Sequence, residues 1–342
     1  MKSRELHLGS NRQEVFAGLS PKVWLETDLL RTWIVADARV CAAVLRSPDM
    51  ELPSLMAVVE HLEKRTGQVF KNLRLANRFI PIMLVGQEHA ALRKSLALYL
   101  TERLRRVEPK LPAIVSEALQ PLRSPGLIDL FHVVVGPLIT TVISELVDQP
   151  VSHDIIELNL DMILTANKSL SMLRNLETKF GIAFEYLKAG SSDDMELACK
   201  ICCLTFGSDT LAMTIVEGIL SAFRKAGESA PAVLPNYPLE TGVPLTWRRV
   251  IKNCTIDEYQ FLVGDIVRLQ LHAAGYSNDP ELTAIVFGAG SHSCVGKQLS
   301  LRLWSHVVQA FNALALRGRA GTYHVKSSPY MTRYESIEIE II

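Results

Sequence analysis

The chain has 342 residues, 36 Lys+Arg against 36 Asp+Glu, 48% hydrophobic and 21% charged residues, and a mean hydropathy of +0.18. The apolar content excludes intrinsic disorder, and the zero formal charge leaves no net field to hold a polyanion, so no nucleic-acid partner is expected. Six cysteines are too few for a disulfide scaffold, and residues 1–16 contain no apolar run of signal-peptide length, which together predict a cytoplasmic protein.

Apolar residues recur at three- and four-residue spacing in 38–45, 55–62, 90–104, 111–119, 195–223 and 299–316, which predicts helices there and a mainly α fold. The most apolar stretch, 127–147, carries Asp129, His132, Gly136, Pro137 and Glu145. A membrane span needs about 20 nearly uncharged apolar residues, so this stretch reads as a buried helix pair and no membrane anchor is expected. Short alternation at 249–251, 260–263, 265–271 and 336–342 predicts a minor β component. Breakers fall at 123–126, at 189–192 and across 227–244, where four prolines and two glycines end helical order. None of these is a flexible linker, and no repeat is visible, so a single domain over 1–342 is expected.

The most informative stretch is Phe287-Gly-Ala-Gly-Ser-His-Ser-Cys-Val-Gly296, followed directly by the amphipathic pattern from Lys297. Its glycines allow close backbone approach to a flat partner, and a helix start beside Cys294 favours a thiolate. A cysteine presented in this way is a nucleophile or a metal ligand. Two further patterns accompany it. His89 and Arg93 stand four apart, on one helix face, where both can grip one carboxylate. In the long pattern 195–223, Gly207 interrupts a helix at a cost of about 1 kcal/mol, which implies a kink beside a ligand.

The pattern F-G-x-G-x-H-x-C-x-G over 287–296 resembles the heme-binding signature of bacterial cytochrome P450 enzymes, with every fixed position filled, from Phe287 and Gly288 through His292 to Cys294. The resemblance implies a compact P450-like fold, heme b as cofactor and Cys294 as the axial thiolate of its iron. It implies that His89, Arg93, Arg249 and His292 meet the heme propionates, with the adjacent Arg248 leaving that strand assignment open by one residue. Gly207-x-Asp209-Thr210 resembles the family's oxygen groove, where the acid and the alcohol relay protons. The stretch 272–280, His-Ala-Ala-Gly-Tyr-Ser-Asn-Asp-Pro, resembles the segment before the heme loop.

The chain departs from the family in several places. No E-x-x-R helix stands before the arginine strand, only six residues separate Pro280 from Phe287 where a longer meander is usual, and the entrance helices over 151–189 are short. Phe206 stands where the family generally has alanine. The function implied is a monooxygenase oxidising a small organic metabolite, in secondary metabolism, with a ferredoxin or flavodoxin as electron donor docking on Lys94, Arg103, Arg105, Arg106, Lys110 and Lys297. A solvated helix face is the alternative reading of those cations. Two other functions stay open: an inactive helper subunit of a partner enzyme, and a heme-thiolate enzyme that works without a reductase. Cys199, Cys202 and Cys203 lie within a helical pattern and read as packing residues.

Overall fold

The computed structural model describes residues 12–27, 30–53, 55–84, 86–152, 158, 162–163, 169–326 and 333–342. The chain forms two compact units, one of residues 1–53, 239–294 and 327–332, the other of residues 54–238, 295–326 and 333–342. The strands in chain order are β1 Val23–Glu26, β2 Thr32–Val35, β3 Met50–Glu51, β4 Gly126–Asp129, β5 Leu245–Val250, β6 Cys254–Ile256, β7 Tyr259–Phe261, β8 Ile266–Gln270, β9 Gly318–Lys326 and β10 Arg333–Ile341.

The first unit is built on a five-stranded sheet of order β1-β2-β8-β5-β3. The β2–β8 pair is parallel, with Thr32 opposite Ile266, and β5 runs antiparallel to β8, with Arg248 opposite Val267 and Arg249 opposite Ile266. Helix Ala38–Arg46 follows β2 and is capped by Asp37, whose carboxylate accepts from the amides of Arg39 and Val40 at 2.9 and 3.1 Å. Its apolar face joins Val250, Val267, Leu269 and Leu271 in one buried core. Asp265 is held by three donors: Arg31 Nε at 2.8 Å, Trp33 Nε1 at 2.9 Å and the Leu262 amide at 3.1 Å.

The second unit is helical, with a small sheet of order β4-β10-β9 at its margin. The predicted helices are present as Leu55–Thr66, Gly86–Val107, Leu111–Ala118 and Lys297–Ala313. The 195–223 pattern extends from Asp194 to Ala226. Two further helices, Lys71–Phe79 and Leu170–Lys188, complete the apolar core, and Phe180 stacks on Phe184 with ring centroids 5.7 Å apart. The parts of the predicted entrance region at 153–157, 159–161 and 164–168 lie outside the described residues.

The stretch read as a helix pair is instead β4, a π-helical turn Leu130–Val135 and the helix Gly136–Val147. Leu130–Val147 and Asp194–Ala226 are long and apolar enough to cross a membrane by length and composition. Their most apolar windows are 50% and 78% buried within the fold, as core helices are.

Candidate functional site

In the first unit, the cysteine loop is a closed turn. The 3-10 turn Ala284–Phe287 leads into it, and the Cys294 amide donates to the Phe287 carbonyl at 2.7 Å, joining its two ends. Gly288 and Gly290 hold φ of 73° and 68°, which side-chain-bearing residues rarely adopt. A Cβ on Gly290 would also stand 2.7 Å from the Leu45 carbonyl oxygen, so the loop lies against the end of helix Ala38–Arg46 at backbone distance. His292 ends a second 3-10 turn, Gly290–His292. Phe287 and His292 are half-buried, whereas the Cys294 side chain is exposed.

The six cysteines separate by environment. Burial pushes the thiols of Cys199 and Cys203 up to about 12 and that of Cys202 well above its ordinary value, so all three stay protonated. Cys202 also donates to the Phe79 carbonyl. Cys41 is buried and Cys254 half-buried, which leaves Cys294 as the exposed thiol of the set. The packing reading of the 199–203 cluster agrees with this.

The strand arginines occupy opposite faces of β5. Arg249 is exposed. Arg248 is only 4% exposed, on the face shared with Val250 and its cross-strand neighbour Val267. Its Nη1 donates to the Trp247 carbonyl at 2.7 Å, and among the described residues no carboxylate lies within ion-pair distance of it. Burial pulls its pKa down to about 10. A cation this desolvated, with no counter-charge of its own, fits an anionic ligand group.

In the second unit, His89 and Arg93 lie one turn apart on helix Gly86–Val107. His89 is buried, and desolvation, then the charge of Arg93, holds its pKa below the ordinary value, so the ring is neutral at pH 7. Asp209 and Thr210 lie on the long helix, just past a π-helical segment, Cys203–Gly207, that interrupts its α geometry. That segment is the irregularity Gly207 signals, in π-helical form, and such π-turns recur at functional sites. A Cβ on Gly207 would come within 2.9 Å of Ile143 Cδ1.

Four hydroxyls bond back to carbonyls one turn earlier along the same helix: Thr205 to Ile201 at 2.7 Å, Ser208 to Leu204 at 2.7 Å, Thr210 to Phe206, and Thr214 to Thr210 at 2.6 Å. Back-bonding of this kind bends a helix. In a helix that is otherwise buried along most of its length, Phe206, Gly207, Thr210 and Thr214 form a half-exposed stripe at helical spacing. Asp209 lies just off it and is buried.

Of the six cations in the predicted docking run, Arg103, Arg106 and Lys110 make ion pairs within the chain, whereas Lys94 and Arg105 are exposed. Arg103 is buried and bridges Asp148 at 3.1 Å and Glu196 at 3.2 Å. Arg106 pairs with Glu102, and Lys110 with Glu145 at 2.6 Å.

Arg248 was the lesser alternative in the sequence, although a signal was present: two adjacent arginines on one strand face opposite ways, so on a sheet with one solvated face only one of them is buried.

No protein-family model matches the sequence, and comparison with curated proteins finds no match. The fold is that of the bacterial cytochrome P450s, mainly α with a minor β component. The chain is similar to P450BioI in complex with hexadec-9Z-enoic acid ligated acyl carrier protein, with TM-score 0.75, 16% identity, and 99% of this chain and 100% of that chain covered. It is also similar to CalO2, with TM-score 0.74, 17% identity, and 96% and 95% covered. A third is the myxobacterial CYP267B1 in complex with myristic acid, with TM-score 0.73, 16% identity, and 99% of each chain covered.

Proposed function

We propose that the protein is a heme-thiolate oxidoreductase of the P450 type that inserts an oxygen atom into a small organic metabolite. The observation that carries this reading is the exposed Cys294 thiol at the end of a glycine loop closed by its own amide on Phe287. The donor set fits heme b: a soft thiolate for iron, and a buried, unneutralised Arg248 for a propionate. His89, Arg93 and His292 would supply the further donors. Arg248 takes the role first given to Arg249, because it is the buried cation of the pair and gains most from an anion.

Heme bound in this way would supply the activation of dioxygen. The chain's own residues then position substrate and protons. The Thr210 hydroxyl spends its proton on the Phe206 carbonyl, so its oxygen offers lone pairs to a water on the half-exposed stripe. Asp209, buried beside it, would hold or pass the proton that this water carries. The half-buried Phe206 ring narrows the space along the stripe and favours slim, apolar substrates. Myristic acid, bound in the similar CYP267B1 structure, is the first compound to test.

The exposed Lys94 and Arg105 keep a ferredoxin or flavodoxin as the proposed electron donor, and the burial of Arg103 in pairs with Asp148 and Glu196 takes that residue out of the docking run. A cytoplasmic location and a role in secondary metabolism belong to the same proposal.

The decisive test is the spectrum of the reduced, heme-reconstituted protein with carbon monoxide. A red-shifted Soret band that disappears in Cys294→Ala supports the thiolate assignment. Failure to take up heme from an ample supply would sink the enzymatic reading and leave the helper-subunit role.

A further inference from the structure

Between the long helix, which ends at Ala226, and β5, which begins at Leu245, the chain forms neither helix nor strand. Irregular stretches of this length inside a compact fold are uncommon and are usually functional or mobile. This one is tied down at several points. In the second unit, the Ala232 amide donates to the Leu316 carbonyl at 2.8 Å, and Asn312 brackets Leu234, accepting from its amide at 2.8 Å and donating to its carbonyl at 3.1 Å. Trp304 Nε1 donates to the Pro235 carbonyl at 3.0 Å.

In the first unit, the remainder of the segment grips the short helix Leu271–Gly275. The Leu271 amide donates to the Pro244 carbonyl at 2.8 Å. His272, fully buried, places Nε2 2.8 Å from the Thr241 carbonyl oxygen. Tyr276 donates its hydroxyl to Glu240. Gly275 is the tightest point: a Cβ there would stand 2.1 Å from the Leu239 carbonyl oxygen and 3.3 Å from Val286 Cγ1. Val286 directly precedes Phe287, whose carbonyl holds the Cys294 amide.

We propose that residues 239–244 are a positioning clamp for the cysteine loop. They seat Gly275 against Val286 and thereby set the Phe287 carbonyl that orients Cys294. Four prolines in 227–244 limit what the segment can do when it is not docked, which lowers the entropy cost of docking it. The clamp occupies the stretch in which the resemblance leads one to expect an E-x-x-R helix. The inference rests on Cys294 as the heme ligand only for its consequence in catalysis. The mechanical coupling can be tested without heme.

The test uses Gly275→Ala, whose new methyl must displace Leu239 or Val286, and Tyr276→Phe, which removes the Glu240 contact at constant volume. In heme-free protein, amide exchange over 284–296 and the rate of Cys294 alkylation by iodoacetamide are measured, with circular dichroism as the check on folding. Tyr276→Phe should speed exchange at the Cys294 amide about 5- to 10-fold, the effect of one hydrogen bond. Gly275→Ala should speed it more and, after reconstitution, move part of the carbon monoxide band to the unshifted, non-thiolate position. Gly318→Ala, which meets the Glu340 carbonyl oxygen at 2.0 Å in the β9–β10 pairing, is the comparator for an equal backbone collision in the second unit, and it should leave the Cys294 amide unchanged.

Exchange and alkylation unchanged in both clamp variants would overturn the inference. Loss of the thiolate band in the wild type would overturn the function instead, while the exchange measurements still decide the clamp.

Discussion

Replacing Arg248 by methionine should have opposite effects on the empty and the heme-loaded protein. Burial takes the guanidinium from its ordinary value to about 10, which at about 1.4 kcal/mol per pKa unit corresponds to a desolvation penalty of roughly 3 kcal/mol. The folded-state value is the lower one, so the unfolded chain holds this proton more tightly. The penalty is therefore full at every pH below about 10 and is relieved only above it. Methionine removes the charge but also the bond to the Trp247 carbonyl, worth about 1–1.5 kcal/mol. Heme-free Arg248→Met should thus be about 1–2 kcal/mol more stable than the wild type, a rise in Tm of about 1.5–3 °C for a chain of this length. The same substitution should weaken heme binding on the order of 10- to 100-fold, the loss of one charge-assisted bond. Arg249→Met, on the exposed face, should change stability by less than about 0.5 kcal/mol and leave heme affinity intact. Thermal melts of heme-free protein and heme titration followed at the Soret band read both quantities. Weaker heme binding in Arg249→Met than in Arg248→Met would refute the burial argument.

Three other outcomes follow from the geometry. Thr210→Ala removes the hydroxyl on the half-exposed stripe and should uncouple reductant consumption from product, whereas unchanged coupling would remove Thr210 from the proton relay. His89 is held neutral by burial and by Arg93, with a folded value below that of the unfolded chain. The heme-free protein should therefore lose stability as pH falls below about 6.5; urea midpoints at two pH values should show a smaller loss in His89→Gln, and equal losses would refute the assignment. Glu177 accepts from the Asn72 and Leu73 amides at 2.9 and 2.8 Å and caps a helix from another part of the chain. Glu177→Ala should cost about 1–3 kcal/mol in a denaturant titration, with Glu177→Gln recovering part of it.

That last contact shows why some elements were legible in the sequence and others were not. The helix at 38–46 carries its start signal locally, in Asp37, and its apolar face repeats cleanly. The helix Lys71–Phe79 begins at Phe70, which caps nothing, and its acceptor lies about a hundred residues away on Glu177. A cap supplied by tertiary structure leaves no mark in the neighbouring residues. The cysteine loop was fully legible for the opposite reason: its positive φ angles and its close approach to Leu45 admit glycine, so the backbone geometry is written into residue identity. The π-segment lies between these cases. Gly207 announced an irregularity, but its form depends on the run of hydroxyls from Thr205 to Thr214 bonding back along the helix. The segment 227–244 was legible only as an interruption, because prolines mark where regular structure stops and say nothing of what the released backbone groups will meet. Trp304, Asn312 and His272, which meet them, lie at least 28 residues further along the chain. Trp304 and Asn312 looked like ordinary residues of the predicted helix 299–316, and His272 like the first residue of the segment before the cysteine loop. On the proposed clamp, the positioning of Cys294 would depend on contacts made at a distance, whereas the glycine loop that presents it is written within ten residues.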